Sequence, residues 1–249
     1  MKGVSIIIPA FNEAKTIGEV IRRVKAADIS RFGFEKEIIV VDDASRDDTA
    51  EIARKAGGPS VKVLRHSENR GKGAALRAGF AASTKDIIII QDADLEYDPS
   101  DYEKLLKPII DGVADAVYGS RFVGSEPHRV LLFHHYLGNK LITFLTNLVS
   151  NLNLTDIETG YKAFTKQAIS SVMLTENKFG FEPEVTIKLA QKNWRFYEVG
   201  ISYHARDYKA GKKITWKDGL WALVVIFRLG GAKSIIIALA ILWLFTLIF

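Results

Sequence analysis

Residues 86–96, Asp-Ile-Ile-Ile-Ile-Gln-Asp-Ala-Asp-Leu-Glu, set four consecutive isoleucines directly before an acidic cluster. So short a β-branched run reads as a strand, and without polar alternation it reads as a strand buried on both faces. Similar segments flank it. Upstream lie VSIIIP from Val4 with a helical stretch from Glu13 to Ala27, EIIVVDD from Glu37 with a helix from Thr49 to Ala56, and VKVLR from Val61 with a helix from Gly73 to Ser83. Downstream come a helix after Pro99 and DAVYGSRF from Asp115. This cadence predicts an α/β, Rossmann-like domain with a mostly parallel sheet and helices on both faces. Ligands of such sheets gather at the carboxyl ends of strands. Those ends carry Pro9 to Glu13, Asp42-Asp43, Asp92-Ala93-Asp94 and Gly119-Ser120-Arg121. Beyond about residue 125 the alternation fades.

The chain has 249 residues, 48% hydrophobic and 25% charged, enough for one catalytic domain with an attachment. Without cysteine there is neither a disulfide framework nor thiolate chemistry, so any metal must be held by oxygen or histidine. A net charge of +5 and a pI near 9.2 suit anionic partners. From Ile235 to Phe249 every residue except Thr246 is apolar, and the run is still going where the sequence stops. At roughly 15 residues it is short of the ~20 a span needs, but Lys233 can snorkel, and it is expected to be a membrane anchor. Lys209, Lys212, Lys213, Lys217, Arg228 and Lys233, interleaved with Trp216 and Trp221, form a basic approach to it. That bias places the preceding domain at a membrane, facing the cytoplasm. Val130 to Leu154 has helical spacing and suits a membrane interface or a core helix equally, whereas Ile214 to Leu229 reads as an amphipathic interfacial helix. The expected units are 1–213 for the catalytic domain, 214–229 for the juxtamembrane helix and 233–249 for the anchor.

Asp92 and Asp94, i and i+2 at a strand end, emerge together, and such a pair is costly unless a cation or donors balance it. Mg²⁺ and Mn²⁺ characteristically bridge one or two carboxylates to substrate phosphates, and Glu96 adds a third oxygen nearby. Capping by Asp94 or Asp98 ahead of Pro99 is the plainer alternative. The acidic residue after the second strand, Asp43, suits a ribose or base. No GxGxxG loop follows the first strand and no Walker spacing surrounds Gly71-Lys72-Gly73, which disfavours a dinucleotide dehydrogenase and a P-loop. Lys72 is thus read only as part of a tight helix opening.

SIIIPAFNE, VVDDASRDDTA, NRGKGAALRAGF, QDADLEYDP, GSRF and DIETGYKAF, in this order over residues 3–215, resemble glycosyltransferase family 2, and within it the dolichol-phosphate mannose synthases and polyprenyl-phosphate glucosyltransferases. The resemblance implies a GT-A fold, a divalent cation (Mg²⁺ or Mn²⁺) and inverting transfer of mannose or glucose from GDP-mannose or UDP-glucose to polyprenyl or dolichyl phosphate, with a lipid bilayer as partner and no nucleic acid. It gives Pro9, Phe11, Glu13, Val41, Asp43, Asp92 and Ala93 to the nucleotide, and Asp94 with Glu96 to the metal. Arg121 and Arg129 fall to the acceptor phosphate. Asp94 and Arg121, with Arg206 and Lys212 from a loop that closes over the diphosphate, form the catalytic set. Phe11 replaces a tyrosine common in relatives, keeping a stacking face without the hydroxyl.

Leaving-group charge on a diphosphate is stabilised by a cation with Arg and Lys, and a phosphate acceptor, already dianionic, needs no general base. Two other readings remain. A glycosyltransferase acting on a hydroxyl acceptor in polysaccharide or glycolipid synthesis would need a base carboxylate. A non-catalytic membrane scaffold would not need the acidic strand ends that this chain has kept.

Overall fold

The computed structural model describes residues 3–124, 132–204 and 216–233. Seven strands form one sheet in the order β3-β2-β1-β4-β6-β5-β7. They are β1 (Gly3–Ala10), β2 (Glu35–Asp42), β3 (Val61–Arg65), β4 (Ile87–Ile90), β5 (Ala116–Ser120), β6 (Lys162–Thr165) and β7 (Phe196–Gly200). All run parallel except β6, which lies antiparallel between β4 and β5. The predicted Rossmann-like sheet is therefore present. β6 and β7 extend it through the region where the alternation fades.

Alternate side chains of each strand serve opposite faces. Ile6, Ile8, Ile87 and Ile89 pack with α1 (Ile17–Ala26) and α4 (Tyr102–Ile110). Ile7, Ile88 and Ile90 pack with α3 (Lys72–Ala82) and α7 (Phe181–Gln191). The uninterrupted isoleucines of β4 are explained by this double coverage: all four are at most 1% exposed. α2 (Thr49–Gly57) lies beside α1, and the short α6 (Lys166–Ser170) follows β6.

The helix read equally as interfacial or core and the helix read as interfacial both pack against the domain. In α5 (Phe133–Ser150), Leu145 and Val149 pack with Ile187 of α7 and with Ile226 of α8 (Trp216–Leu229). α8 is also held by Glu176, which accepts from Trp221 Nε1 at 2.7 Å and pairs with Arg228. Both helices are thus part of the domain's packing, although Phe133, Leu137, Leu141 and Phe144 leave one stripe of α5 exposed. The expected transmembrane segment is corrected as well. Among the described residues no helix is long and apolar enough to cross a membrane. The run from Ile235 to Phe249 lies outside the described residues. Among the described residues no helix supports the expected membrane localisation with a cytoplasm-facing domain.

Ile89 has no exposed surface and pairs through β4 with both β1 and β6. Ile89→Ala should cost about 2–5 kcal/mol of unfolding free energy from lost burial and the cavity left behind. Urea denaturation followed by circular dichroism reads this as a lower midpoint with an unchanged slope.

Candidate active site

The turns that leave β1, β2 and β4 each contain a residue in the left-handed region: Asn12 (φ 52°), Ala44 (φ 59°) and Leu95 (φ 65°). Such backbone costs free energy and persists where surrounding contacts dictate it. Asn12 is clamped from both sides, its N–H donating to Ser45 Oγ at 2.9 Å and its Oδ1 accepting from Arg46 N at 2.8 Å. These turns hook the strand ends around one cavity of about 430 Å³, lined by residues of the β1, β2, β4 and β5 ends together with α3, α7 and α8.

The acidic strand ends are only partly open to a ligand. Asp43 accepts from Asn69 Nδ2 at 3.0 Å and from the backbone N–H of Arg70 and Gly71 at 3.0 and 2.6 Å, and His66 Nδ1 lies 2.7 Å away. Its first task is to fold the loop before α3, where Gly71 has a φ of 97° and a Cβ would meet Asn177 O at 2.4 Å. That loop delivers Lys72 into the cavity, with its Nζ 3.0 Å from Asp92 Oδ1 and 3.4 Å from Glu182 Oε1. Burial works against its charge, but Asp92 and Glu182 hold the ammonium well above the ordinary lysine range. Gly160 lets the chain pass Asp92, since a Cβ there would fall 2.0 Å from Asp92 Oδ2.

Asp94 Oδ1 accepts from Glu96 N at 3.1 Å, and Glu96 Oε2 accepts from the Tyr203 hydroxyl at 2.8 Å. Behind this turn Tyr97 packs against Tyr161 and Tyr203, with ring centroids 5.0 and 5.5 Å apart, and its hydroxyl accepts from Gly160 N at 2.9 Å. The carboxylates of Asp94 and Glu96 therefore sit on a rigid aromatic base at one cavity wall. Sites for Mg²⁺ and Mn²⁺ commonly use only one or two carboxylates and leave the rest to substrate phosphates and water, and this donor set fits that pattern.

Arg121 lines the cavity but is already held, with Nε and Nη2 donating to Asp156 at 2.6 and 2.8 Å. Against the penalty of burial, Asp156 raises the guanidinium well above its ordinary value, and the arginine lowers the Asp156 carboxyl. Glu158, two residues further, stands nearby; burial and then the charge of Glu182 push its carboxyl up to about 8. Burial pulls Lys162 down to about 8, and its ammonium donates to the carbonyls of Ile157 and Thr159.

Of the expected site residues, Pro9, Phe11, Glu13, Asp43, Asp92, Ala93, Asp94, Glu96 and Arg121 line the cavity. Val41 does not: it is fully buried in the core against α3. Arg129, Arg206 and Lys212 lie outside the described residues. Sequence reasoning missed Lys72, Glu158, Glu182, Tyr203 and Asp218 as cavity residues. The lysine stood inside a quoted motif but was given only a turn role; Glu158 stood inside another, DIETGYKAF, and no local pattern sets Glu182 apart.

The profile described as "Glycosyl transferase family 2" matches residues 5–173, which include β1 to β6 and every strand end at the cavity. The chain belongs to glycosyltransferase family 2. It is 33% identical to an uncharacterized protein of Methanocaldococcus jannaschii over 83% of this chain and 84% of that one. It is 30% identical to the dolichol-phosphate mannosyltransferase of Pyrococcus furiosus, over 97% of this chain and 72% of that enzyme. Its fold is that of glucosyl-3-phosphoglycerate synthase from Mycobacterium tuberculosis, crystallised with Mn²⁺, UDP and glucosyl-3-phosphoglycerate: TM-score 0.72 at 21% identity, covering 92% of this chain and 80% of that one. The expected GT-A-like α/β catalytic domain is thus met, whereas the expected lipid partners are corrected. No described helix is long and apolar enough to cross a bilayer, and neither polyprenyl or dolichyl phosphate nor the bilayer is carried forward.

The shift of Glu158 has a consequence for stability. Its folded value, about 8, lies above the unfolded value, so the native state binds the extra proton between them. The stabilising contribution is complete below about 4.5, the ordinary glutamate value, and is lost as pH rises through about 8. Melting temperature measured from pH 5 to 8 should fall more steeply for the natural protein than for Glu158→Gln, whose side chain does not titrate.

Proposed function

We propose that this family 2 glycosyltransferase moves a hexose, with inversion, from a nucleoside diphosphate sugar to a hydroxyl-bearing acceptor, assisted by Mg²⁺ or Mn²⁺. The observation that carries this reading is the seating of Asp94 and Glu96 on one cavity wall, with Lys72 and Arg121 in the same cavity. Solved structures of the same fold crystallised with Mn²⁺, Mg²⁺, UDP and UDP-glucose support it. The hydroxyl acceptor follows the acceptors of those structures, such as phosphoglyceric acid, and the proton it releases on attack would pass to a carboxylate of the cavity lining, for which Asp218 is proposed.

In this reading Asp94, with Glu96, would hold the cation, which when bound neutralises charge on the departing diphosphate. Pro9 and Phe11 offer apolar surface to the nucleoside at the end of β1, beside Glu13. Lys72 neutralises Asp92, so that a diphosphate meets one fewer negative charge as it enters. Arg121, fixed by Asp156, presents a positive face whose orientation does not have to be established during the reaction. Arg206 and Lys212, at positions outside the described residues, are proposed to close on the diphosphate, and Arg129 to meet an acidic group of the acceptor.

Asp94→Asn should reduce transfer at least a hundredfold while leaving the melting temperature within a few degrees. The check is radiolabelled UDP-glucose and GDP-mannose, each offered with Mg²⁺ or Mn²⁺ and a panel of hydroxyl acceptors including phosphoglyceric acid. EDTA should abolish product, and restoring the cation should recover it. Unchanged transfer by the Asp94→Asn protein, or in EDTA, refutes the cation's place.

A further inference from the structure

Two carboxylates in the cavity have no task in the reaction as described. Glu158 Oε1 and Glu182 Oε2 are both buried and have no hydrogen-bond partner among the described residues. Buried polar atoms of this kind are uncommon in native structures, because each forfeits hydration without replacement. The neighbouring cations do not resolve the deficit. Arg121 is committed to Asp156 by two hydrogen bonds, the Lys162 ammonium to two backbone carbonyls, and Lys72 lies closest to Asp92, reaching only the other oxygen of Glu182. Both glutamates nonetheless line the cavity.

Their place in the sheet says what they face. The order β2-β1-β4-β6-β5 puts the Asp92–Asp94 turn in the middle. The β1 and β2 ends, with Pro9, Phe11 and Asp43, lie to one side of it. Glu158, shortly before β6, and Arg121, just after β5, lie to the other. A donor whose diphosphate rests at Asp94 and whose nucleoside lies over β1 and β2 therefore directs its sugar toward the β6 side. Orphan acceptors there call for a ligand that brings hydrogen-bond donors and no negative charge, which describes the hydroxyls of a sugar ring and excludes a phosphate.

We propose that Glu158 and Glu182 form the hydroxyl-binding wall of the cavity, receiving the glycosyl ring of the donor and selecting among hexoses by the position of their hydroxyls. This rests on the nucleoside diphosphate sugar reading above and names the residues that read the sugar. Glu182 accepts from one hydroxyl while its other oxygen faces Lys72. Glu158, held largely as the neutral acid at pH 7 by burial beside Glu182, both donates and accepts, matching the dual character of a hydroxyl. A pocket that hydrogen-bonds a substrate hydroxyl rejects the analogue lacking it, because its own buried atoms are then left unpaired.

The test is calorimetric binding of UDP against UDP-glucose, and of GDP against GDP-mannose, to the full chain with Mg²⁺. For the nucleotide that binds, the sugar should add affinity in the natural protein. Glu158→Ala should lose about tenfold of that added affinity while holding the nucleotide alone within twofold. Glu158→Gln, whose amide also donates and accepts, should recover most of it. Glu182→Gln, close in shape and suited to a domain that tolerates Glu158→Ala poorly, should lower the sugar's contribution as well. Equal sugar contributions in all four proteins, or parallel losses for nucleotide and nucleotide sugar, overturn the sugar wall and leave the proposed function standing. Failure of the natural protein to bind either nucleotide overturns the proposed function and the sugar wall together.

Discussion

The ion pair between Lys72 and Asp92, 3.0 Å apart and each about one-fifth exposed, ties together the elements on which the site depends. The lysine opens α3, the aspartate closes β4, and Glu182, 3.4 Å from the same ammonium, begins α7. Around this pair gather Asp43, Asp94, Glu96, Glu158 and Asp218, an acidic concentration whose members repel one another. Lys72 limits the repulsion by occupying Asp92. Gly71 and Gly160 are needed to admit the pair, the first for a positive φ on the loop and the second for close approach to Asp92.

The charges divide into those settled within the protein and those left for a ligand. Asp43 is consumed by the loop before α3, Asp156 by Arg121, and Asp92 by Lys72. Among the described residues nothing serves one oxygen each of Glu158 and Glu182. A domain selected only for stability would replace such groups with apolar ones or pair them, since each unpaired buried acceptor costs about 1–3 kcal/mol. Their retention places a cost of folding at the location where a polar ligand would repay it.

Much of the sheet was legible in the sequence for a simple reason. β1, β2 and β4 are covered on both faces, so their isoleucines and valines run without interruption and end abruptly in polar residues. β6 and β7 were harder. Lys162-Ala-Phe-Thr165 is only four residues long, begins with a lysine buried by tertiary contacts and lies antiparallel in an otherwise parallel sheet. The same logic separates the site residues. Carboxylates adjacent in sequence at a strand end, such as Asp92 and Asp94, announce themselves. Lys72, Glu158 and Glu182 meet only because α3, the segment before β6, and α7 converge, and no local periodicity encodes that convergence. Apolar composition alone leaves the Leu- and Phe-rich stretch of α5 open between interface and core, and the packing of Leu145 and Val149 against α7 and α8 assigns that face to the core.

Rigidity is the property these features share. The turns after β1, β2 and β4 hold Asn12, Ala44 and Leu95 in left-handed backbone, and the tyrosines behind Asp94 lock the turn that carries it. Transfer from a nucleoside diphosphate sugar builds charge on a leaving group whose position is fixed by the bond being broken. Stabilising groups that are already oriented lower the barrier without a reorganisation cost at the moment of reaction. Strain at strand ends and unmet acceptors beside β6 thus have a common origin. The double-sided packing of the isoleucine strands makes the scaffold stiff enough to hold turns and charges that would relax on a softer frame.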